Sequence, residues 1–130
     1  IFDGSLQENI TMGDEQISTA HILRLAEQVG LKSFIEEAPE GLHTVLHPTG
    51  KQLTRKLIQK ILLLRALVNR PRLLLLDEPW LGMEETTRIG IQQLLLNDFK
   101  DTTLIIITSD DDFLKQCTRV LHLENGRLLV

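Results

Sequence analysis

Two adjacent carboxylates, Asp77 and Glu78, follow directly on four consecutive leucines at positions 73–76. A leucine run without polar alternation predicts a strand that is buried on both faces of a parallel sheet. In open α/β sheets, ligands collect at the carboxyl ends of the strands, and Mg²⁺ takes carboxylate oxygens beside the phosphates of a nucleotide. Asp77 is therefore a candidate to orient a metal ion, and Glu78 is a candidate base for an attacking water. The alternative is a buried strand that ends in a solvated acidic turn.

The composition of the chain bounds the class of protein. It has 130 residues, of which 42% are hydrophobic and 25% are charged, as in one soluble globular domain. A formal net charge of −4 argues against a general nucleic-acid or membrane-surface binder. The single cysteine, Cys117, excludes an internal disulfide and favours a reducing, cytosolic environment. The chain begins with Ile1 rather than with methionine, which suggests a piece of a longer protein, and its start shows no signal-peptide pattern.

The first part of the chain, residues 1–69, has the pattern of a mostly helical region. Asp14 is in the position of a helix N-cap, and the apolar stripe after it closes at Gly30. Another apolar helix is expected to start near Thr54 and to end before Pro71. Between these two helices, we expect a short helix and then an irregular loop, at residues 31–37 and 41–52.

A strand, a helix and a strand follow one another in the second part. The leucine strand is followed by an amphipathic helix at residues 84–99 and by a continuous apolar strand at residues 102–108. This order predicts a right-handed crossover unit with parallel strands, and therefore an α/β fold. The half-sheet would have an open edge, which is a template for pairing with another chain.

Two shorter elements complete the second part. Three aspartates at positions 110–112 favour the N-terminus of a short helix over a metal site, because the backbone dipole stabilises carboxylates there. Two short strands, at residues 120–123 and 127–130, flank a turn in which Gly126 can adopt a positive φ. We therefore expect a C-terminal β-hairpin.

The basic residues and the histidines could have either a structural or a functional role. Seven basic residues without an acidic one precede the leucine strand, and they form either a phosphate-facing surface or a solvated face: Lys51, Arg55, Lys56, Lys60, Arg65, Arg70 and Arg72. The charge pattern alone favours the solvated face. Of the four histidines, only His43 and His47 are close in sequence, and no third ligand lies near them, so a zinc site is not expected.

Several segments form a specific combination that resembles a known family. Asp-Glu-Pro follows the leucine strand, Arg-Ala-Leu precedes it and Glu-Asn-Gly-Arg lies near the end, at residues 77–79, 65–67 and 124–127. Together they resemble the second half of the nucleotide-binding domain of ATP-binding cassette (ABC) transporters. Residues 1–10 and 41–45 are similar to segments of the exporter form of that domain. The resemblance implies a partial P-loop NTPase-like fold, with a helical subdomain at residues 1–70 and the C-terminal part of the ATPase core at residues 71–130.

The resemblance also implies roles for particular residues. Asp77 falls on the Walker B aspartate, which supports Mg²⁺ through water, and Glu78 falls on the catalytic glutamate, which polarises the hydrolytic water. Ser109 stands at the position of the switch histidine. The signature motif, which meets the ATP of a partner domain, corresponds to a segment that contains Thr54, Arg55 and Lys56.

The chain departs from the family pattern at four places. Arg55 and Lys56 replace signature glycines that let backbone N–H groups approach a γ-phosphate, and Ser109 has no imidazole. The X-loop sequence at residues 47–50 has no acidic residue, and Glu84 stands where the D-loop has an aspartate. These departures indicate a degenerate cassette. The Walker A loop is missing, since Gly50-Lys51 lacks its spacing, and we expect the chain alone to bind ATP weakly or not at all.

Two hypotheses of function follow from these observations. In the first, the chain is part of the ATP-binding domain of an exporter-like ABC transporter, with ATP and Mg²⁺ as cofactors and with reduced turnover. Its partners would be a second nucleotide-binding domain, identical or different, and transmembrane domains, at the cytoplasmic face of the membrane. In the second, it is a non-hydrolytic nucleotide-binding, regulatory or dimerisation module. A nucleic-acid partner is not expected from the acidic total charge.

Overall fold

A computed structural model describes residues 1–129 of the chain. The first part contains two two-residue strands, four α-helices and a short 3₁₀ helix (Gly41–His43): β1 (Gly4–Ser5), α1 (Leu6–Thr11), α2 (Thr19–Gln28), α3 (Lys32–Glu37), β2 (Val45–Leu46) and α4 (Arg55–Leu67). The second part alternates strands and helices: β3 (Leu73–Asp77), α5 (Glu85–Asp98), β4 (Thr103–Ile107), α6 (Asp111–Leu114), β5 (His122–Glu124) and β6 (Arg127–Leu129).

The helical first part begins with a well-capped helix. The Ser5 hydroxyl accepts a hydrogen bond from the Glu8 N–H at 3.0 Å, and the Glu8 carboxylate accepts one from the Ser5 N–H at 2.7 Å. This reciprocal pair satisfies two N–H groups that the start of α1 would leave without a partner. β1 pairs antiparallel with β2, so the segment expected to be an irregular loop contains a short strand and a 3₁₀ helix.

The predicted N-cap of the second helix is wrong. The Asp14 carboxylate accepts a hydrogen bond from the Gln16 N–H at 2.9 Å and so forms a local turn. Ser18 caps α2 instead, with its hydroxyl accepting from the His21 N–H at 3.2 Å. Thr54 caps α4 by accepting from the Leu57 N–H at 3.2 Å, and this helix therefore starts near Thr54, as the sequence predicts.

The parallel crossover unit is confirmed. β3 and β4 pair in parallel, from Leu73 opposite Thr103 to Asp77 opposite Ile107, and α5 connects them. Leu74 belongs to the same buried core as Ile91 and Leu95 of α5. The fold is therefore α/β, with a helical first part and a two-stranded parallel sheet.

Within the described residues, 1–129, β3 is buried on one face only, so the expectation that both of its faces are buried is wrong. Leu74 is 4% exposed, but Leu75 is 65% exposed and its neighbours on β4, Ile105 and Ile107, are 55% and 62% exposed. Successive side chains of a strand point to opposite faces, so one face of the pair packs on the core and the other is open. The continuous apolar run therefore reflects two apolar faces, of which the described residues cover one.

The remaining elements agree with the sequence. Asp110 caps α6, and β5 and β6 form the expected antiparallel hairpin around Asn125 and Gly126, whose φ angles are +50° and +73°. Val130, the last residue of the predicted second strand, lies outside the described residues. No helix within residues 1–129 has the length and apolar character needed to cross a membrane.

Candidate functional site

The two carboxylates at the end of β3 occupy different environments. Asp77 is the last residue of the strand and is exposed, whereas Glu78 is half-buried in the turn that follows. The Glu78 N–H donates to the Ile107 carbonyl at 2.8 Å, which extends the parallel ladder by one bond beyond the strand. Both carboxylates therefore lie at the carboxyl end of the sheet, where open α/β sheets bind ligands.

The backbone of Glu78 has a left-handed conformation. Its φ is +44°, a region that residues other than glycine rarely adopt and that costs free energy because Cβ crowds the carbonyl oxygen. A turn closes behind it, with the Leu81 N–H donating to the Glu78 carbonyl at 3.1 Å. The chain therefore turns directly after β3.

A shallow cleft of about 280 Å³ lies beside this turn. It is lined by the turn after β3, the start of α5 and the end of β4, and its lining includes Glu78, Trp80, Met83, Arg88, Thr108, Ser109 and Asp110. The structure thus brings Glu78 and Ser109 to one cleft because they follow adjacent parallel strands. Asp77, the residue before Glu78, is not among the residues that line the cleft.

Two residues that line the cleft, Asp110 and Arg88, belong to a polar cluster. The Asp110 carboxylate accepts hydrogen bonds from the Phe113 N–H at 3.0 Å and from the Arg88 guanidinium and the Gln92 amide, both at 2.9 Å. The backbone hydrogen bond from Phe113, followed by those from Gln92 and Arg88, lowers the pKa of Asp110 below its ordinary value. Asp110 therefore acts as a helix cap and as an anchor for α5, as the structural interpretation of the aspartate triplet predicts.

The predicted signature residues lie apart from this cleft, at the N-terminus of α4. Thr54 is the N-cap, and Arg55 and Lys56 begin the helix with exposed side chains. Lys56 reaches Glu84, the residue before α5, with 3.5 Å between Nζ and Oε1, and Lys60 approaches the other oxygen of Glu84 at 3.8 Å. The carboxylate of Glu84 has a lowered pKa because of a hydrogen bond from its own backbone and the nearby Lys60 and Lys56 charges.

The basic residues before β3 form neither a single phosphate-facing surface nor a uniformly solvated face. Lys56 and Lys60 pair with Glu84, and the side chain of Lys60 is only 15% exposed. Arg65 points into the helical part, where its Nε donates to the Asn9 backbone carbonyl at 2.6 Å. Arg65 also stacks over the Phe2 ring, at 5.7 Å from its centroid. The charge pattern alone could not separate these roles.

The acids at the end of β3 fit magnesium only as a partial ligand set. Within residues 1–129, no cluster of three or more His, Cys, Asp or Glu side chains could hold a metal ion. Magnesium commonly uses one or two carboxylates and takes its other ligands from phosphates and water. The exposed carboxylate of Asp77 fits that pattern, because it can serve a nucleotide-bound ion without a protein cage.

Two residues near the site were not singled out from the sequence. Gln59 lies one turn into α4, and its amide donates to the Pro79 carbonyl at 3.2 Å. Arg88 of α5 lines the cleft and binds Asp110. The spacing of Lys56, Gln59 and Lys60, at i, i+3 and i+4, puts them on one helix face and was the available signal. Their partner segment cannot be read from the sequence.

The known proteins to which this chain is similar include ATP-binding/permease proteins. No protein-family model matches the chain. A multidrug efflux ATP-binding/permease protein of Mycobacterium bovis is 32% identical over 129 residues, which cover 99% of this chain and 11% of the relative. The glutathione/L-cysteine transport system ATP-binding/permease protein CydD of Bacillus subtilis is 31% identical over 127 residues, which cover 98% of this chain and 22% of the relative.

Among solved structures, the chain is similar to a bacterial Atm1-family ABC exporter with ATP bound. The TM-score is 0.83 and the sequence identity 26%, with 98% of this chain and 22% of that chain covered. The chain therefore matches these proteins along almost its whole length, but it spans only 11% to 22% of theirs.

Proposed function

We propose that the chain, whose relatives include ATP-binding/permease proteins and which is similar in structure to an ABC exporter, forms the second half of an ATP-binding domain in an exporter-like ABC transporter. In this proposal residues 1–70 are the helical subdomain and residues 71–130 are the C-terminal part of the ATPase core. The phosphate-binding loop comes from another part of the same protein. ATP binding and hydrolysis by the complete domain drive transport.

The conformation and surroundings of Glu78 are the observation that supports this proposal most directly. Glu78 is half-buried, follows a parallel strand in a left-handed turn and lines a cleft together with Ser109. A solvated acidic turn, the bland alternative, does not need a strained backbone or a cleft. The backbone cost at Glu78 is typical of a residue whose direction matters for function.

We assign Glu78 the orientation of the attacking water. Its carboxylate accepts a proton from that water as the water oxygen attacks the γ-phosphorus, the bond from that phosphorus to the β–γ bridging oxygen breaks, and ADP leaves. Asp77 would help to hold Mg²⁺, and the bound ion would neutralise charge on the phosphates. Ser109 meets the phosphate with a hydroxyl, which offers one donor and no charge.

Reduced turnover follows from the residues at the N-terminus of α4. Thr54, Arg55 and Lys56 are proposed to face the ATP of a second nucleotide-binding domain, in a homodimer or a heterodimer. Glycines at this place permit a close approach of backbone N–H groups to phosphate, and two long exposed side chains obstruct it. The composite site that these residues complete would therefore hydrolyse ATP slowly.

A non-hydrolytic module is the second candidate, and one contact favours it. Lys56, at a position proposed to face the partner, is engaged within this chain by Glu84 at 3.5 Å. Such a site could bind nucleotide or support dimerisation without turnover. Glu78 argues against this candidate, because a site without hydrolysis has no chemical need for a base.

The complete protein would act with transmembrane domains at the cytoplasmic face of a membrane. Two nucleotide-binding domains would enclose ATP between them, and movement of the domains on closure and reopening would be passed to the membrane part. The net acidic charge gives no reason to add a nucleic acid to these partners.

The substitution Glu78→Gln in the full-length protein tests the enzymatic proposal. Glutamine keeps the size of the side chain but cannot accept the proton, so steady-state phosphate release should fall about 100-fold or more. Glu37→Gln, which changes an exposed glutamate at the end of α3, is the matched control and should leave the rate unchanged. If Glu78→Gln has no effect, the non-hydrolytic module is the better description.

A further inference from the structure

Side chains of α4 contact both ends of the segment 78–84, which follows β3. Gln59 lies at the start of this turn, where its Nε2 donates to the Pro79 carbonyl at 3.2 Å and lies 3.5 Å from the Glu78 carbonyl. Lys56 and Lys60 lie at the other end, where both approach Glu84. Three side chains on one helix face thus contact the segment 78–84.

We propose that Gln59 is a positioning residue for Glu78, which makes the direction of the candidate base depend on the position of α4. This inference deepens the proposed function and rests on it. Gln59 touches neither the proposed water nor the nucleotide, and it acts through the backbone of the turn.

The contact to Pro79 is the strongest part of the argument. Pro79 is buried, and among the hydrogen bonds described for residues 1–129 its carbonyl accepts only from Gln59. A buried acceptor that loses its donor carries the full cost of desolvation, so the turn would shift rather than leave the carbonyl unpaired. The neighbouring residue is Glu78, whose backbone has a left-handed conformation with φ +44°. Because the allowed region around this conformation is small, a shift of Pro79 would change the direction of Glu78.

The ion pairs at the other end of the turn are weaker. The side chains of Lys56 and Glu84 are 54% and 58% exposed, and exposed pairs contribute little to stability. They restrict the end of the segment but cannot fix Glu78. The half-buried amide of Gln59 is therefore the contact that carries the coupling.

The consequence concerns communication between two sites. α4 is a continuous helix of 13 residues, and its N-terminus carries Thr54, Arg55 and Lys56, which are proposed to meet the partner's nucleotide. A shift of this rigid element moves Gln59 with it. Engagement of the partner's ATP at one end of α4 would thereby adjust the base of this chain's own site.

Gln59→Met in the full-length protein is the main test. Methionine has a similar length and no donor, so we expect kcat for ATP hydrolysis to fall about tenfold while KM for ATP stays within about twofold, because a misdirected base affects the chemical step and not binding. A merely structural role would not separate kcat from KM in this way. Gln93→Met changes an exposed glutamine of α5 and should leave both parameters unchanged.

Hydrogen exchange gives a readout that does not need activity. The Leu81 and Met83 N–H groups donate within the turn, to the Glu78 and Trp80 carbonyls, both at 3.1 Å. In Gln59→Met, a peptide covering residues 79–83 should exchange about tenfold faster, while peptides from β3 and β4 are unchanged. Gln59→Glu has the same length and also lacks the donor, so it should give the same pattern if Gln59→Met fails to fold.

The outcomes separate the inference from the proposed function. Unchanged exchange of residues 79–83 in both variants overturns the inference, whatever the rate of hydrolysis. Faster exchange with unchanged kcat also overturns it, provided that Glu78→Gln abolishes hydrolysis. If Glu78→Gln has no effect in the otherwise unsubstituted protein, the proposed function fails, and the role of Gln59 as a positioning residue fails with it.

Discussion

At the scale of single residues, the backbone of Glu78 is the least expected feature of the chain. Within residues 1–129, three other residues that are not glycine have a positive φ, namely Met12, Arg70 and Asn125, and each lies at a helix end or in a turn. Glu78 differs from them because it combines this conformation with a position directly after a parallel strand and beside a cleft. Strain of this kind costs roughly 1–2 kcal/mol and tends to persist where a side chain needs one direction.

This strain predicts a trade of stability against activity. Glycine adopts the left-handed region without a clash of Cβ, so Glu78→Gly should raise the free energy of unfolding by about 1 kcal/mol, measured by chemical denaturation. The same substitution should eliminate hydrolysis in the full-length protein. Glu78→Gln, which keeps Cβ, is the control and should leave stability nearly unchanged. A lower free energy of unfolding in Glu78→Gly would show that the side chain of Glu78 stabilises the fold and would contradict this prediction.

At the scale of elements, the sequence predicted the long apolar elements well and the short ones poorly. β3, β4, α4 and α5 were correct in type because each has a continuous apolar run or stripe. β1 and β2 were not foreseen, because two residues cannot show a period. The capping box of Ser5 and Glu8 was a readable signal for α1.

The candidate site was predictable to the extent that strand ends determine position. Glu78 and Ser109 were expected just after two parallel strands, and the register of β3 and β4 brings them to one cleft. The contact between Gln59 and Pro79 was not predictable, because it joins α4 to a turn 20 residues away, and only the tertiary fold sets that distance. Ser18 displaced Asp14 as the cap of α2 because both are good caps and the helix start depends on packing.

The start of α4 gives the prediction at this scale. If Arg55 and Lys56 obstruct the partner's phosphate, the double substitution Arg55→Gly and Lys56→Gly in the full-length protein should raise the rate of ATP hydrolysis about tenfold or more, by restoring close approach of the backbone. It should also lower stability by about 1 kcal/mol, because glycine weakens a helix.

The alanine pair Arg55→Ala and Lys56→Ala is the matched control for that substitution. It removes the charges and most of the bulk but keeps Cβ atoms, so we expect a smaller gain in phosphate release. An unchanged rate in the glycine pair would mean that the first turn of α4 does not limit turnover. If turnover is low, its cause would then have to be Ser109 or a part of the protein outside this chain.

At the scale of the whole molecule, the open face of the parallel pair is the dominant feature. Leu75, Ile105 and Ile107 lie on the open face of β3 and β4 and are more than half exposed. Contiguous apolar surface of this kind marks an interaction site, and the two-stranded sheet also has unpaired edges. Both properties fit the proposal that the chain is half of a larger sheet domain.

The substitution Leu75→Glu distinguishes a face that is covered in the full-length protein from one that is always solvated. In the 130-residue chain the side chain is already 65% exposed, so the substitution should change the melting temperature little and should reduce self-association, measured by sedimentation. In the full-length protein it should bury a charge against the rest of the sheet and lower the melting temperature of the ATP-binding domain by about 5–10 °C.

Leu74→Ala is the control for that experiment, because Leu74 is 4% exposed and packs on the core of the chain itself. It should destabilise the short chain and the full-length protein alike, by about 3 kcal/mol. The contrast between the two leucines is therefore the informative quantity. If Leu75→Glu leaves the stability of the full-length protein unchanged, this face of β3 is exposed to solvent in the full-length protein as well. A strand with one solvent-exposed face at this place would contradict the proposal that β3 belongs to a complete ATPase core.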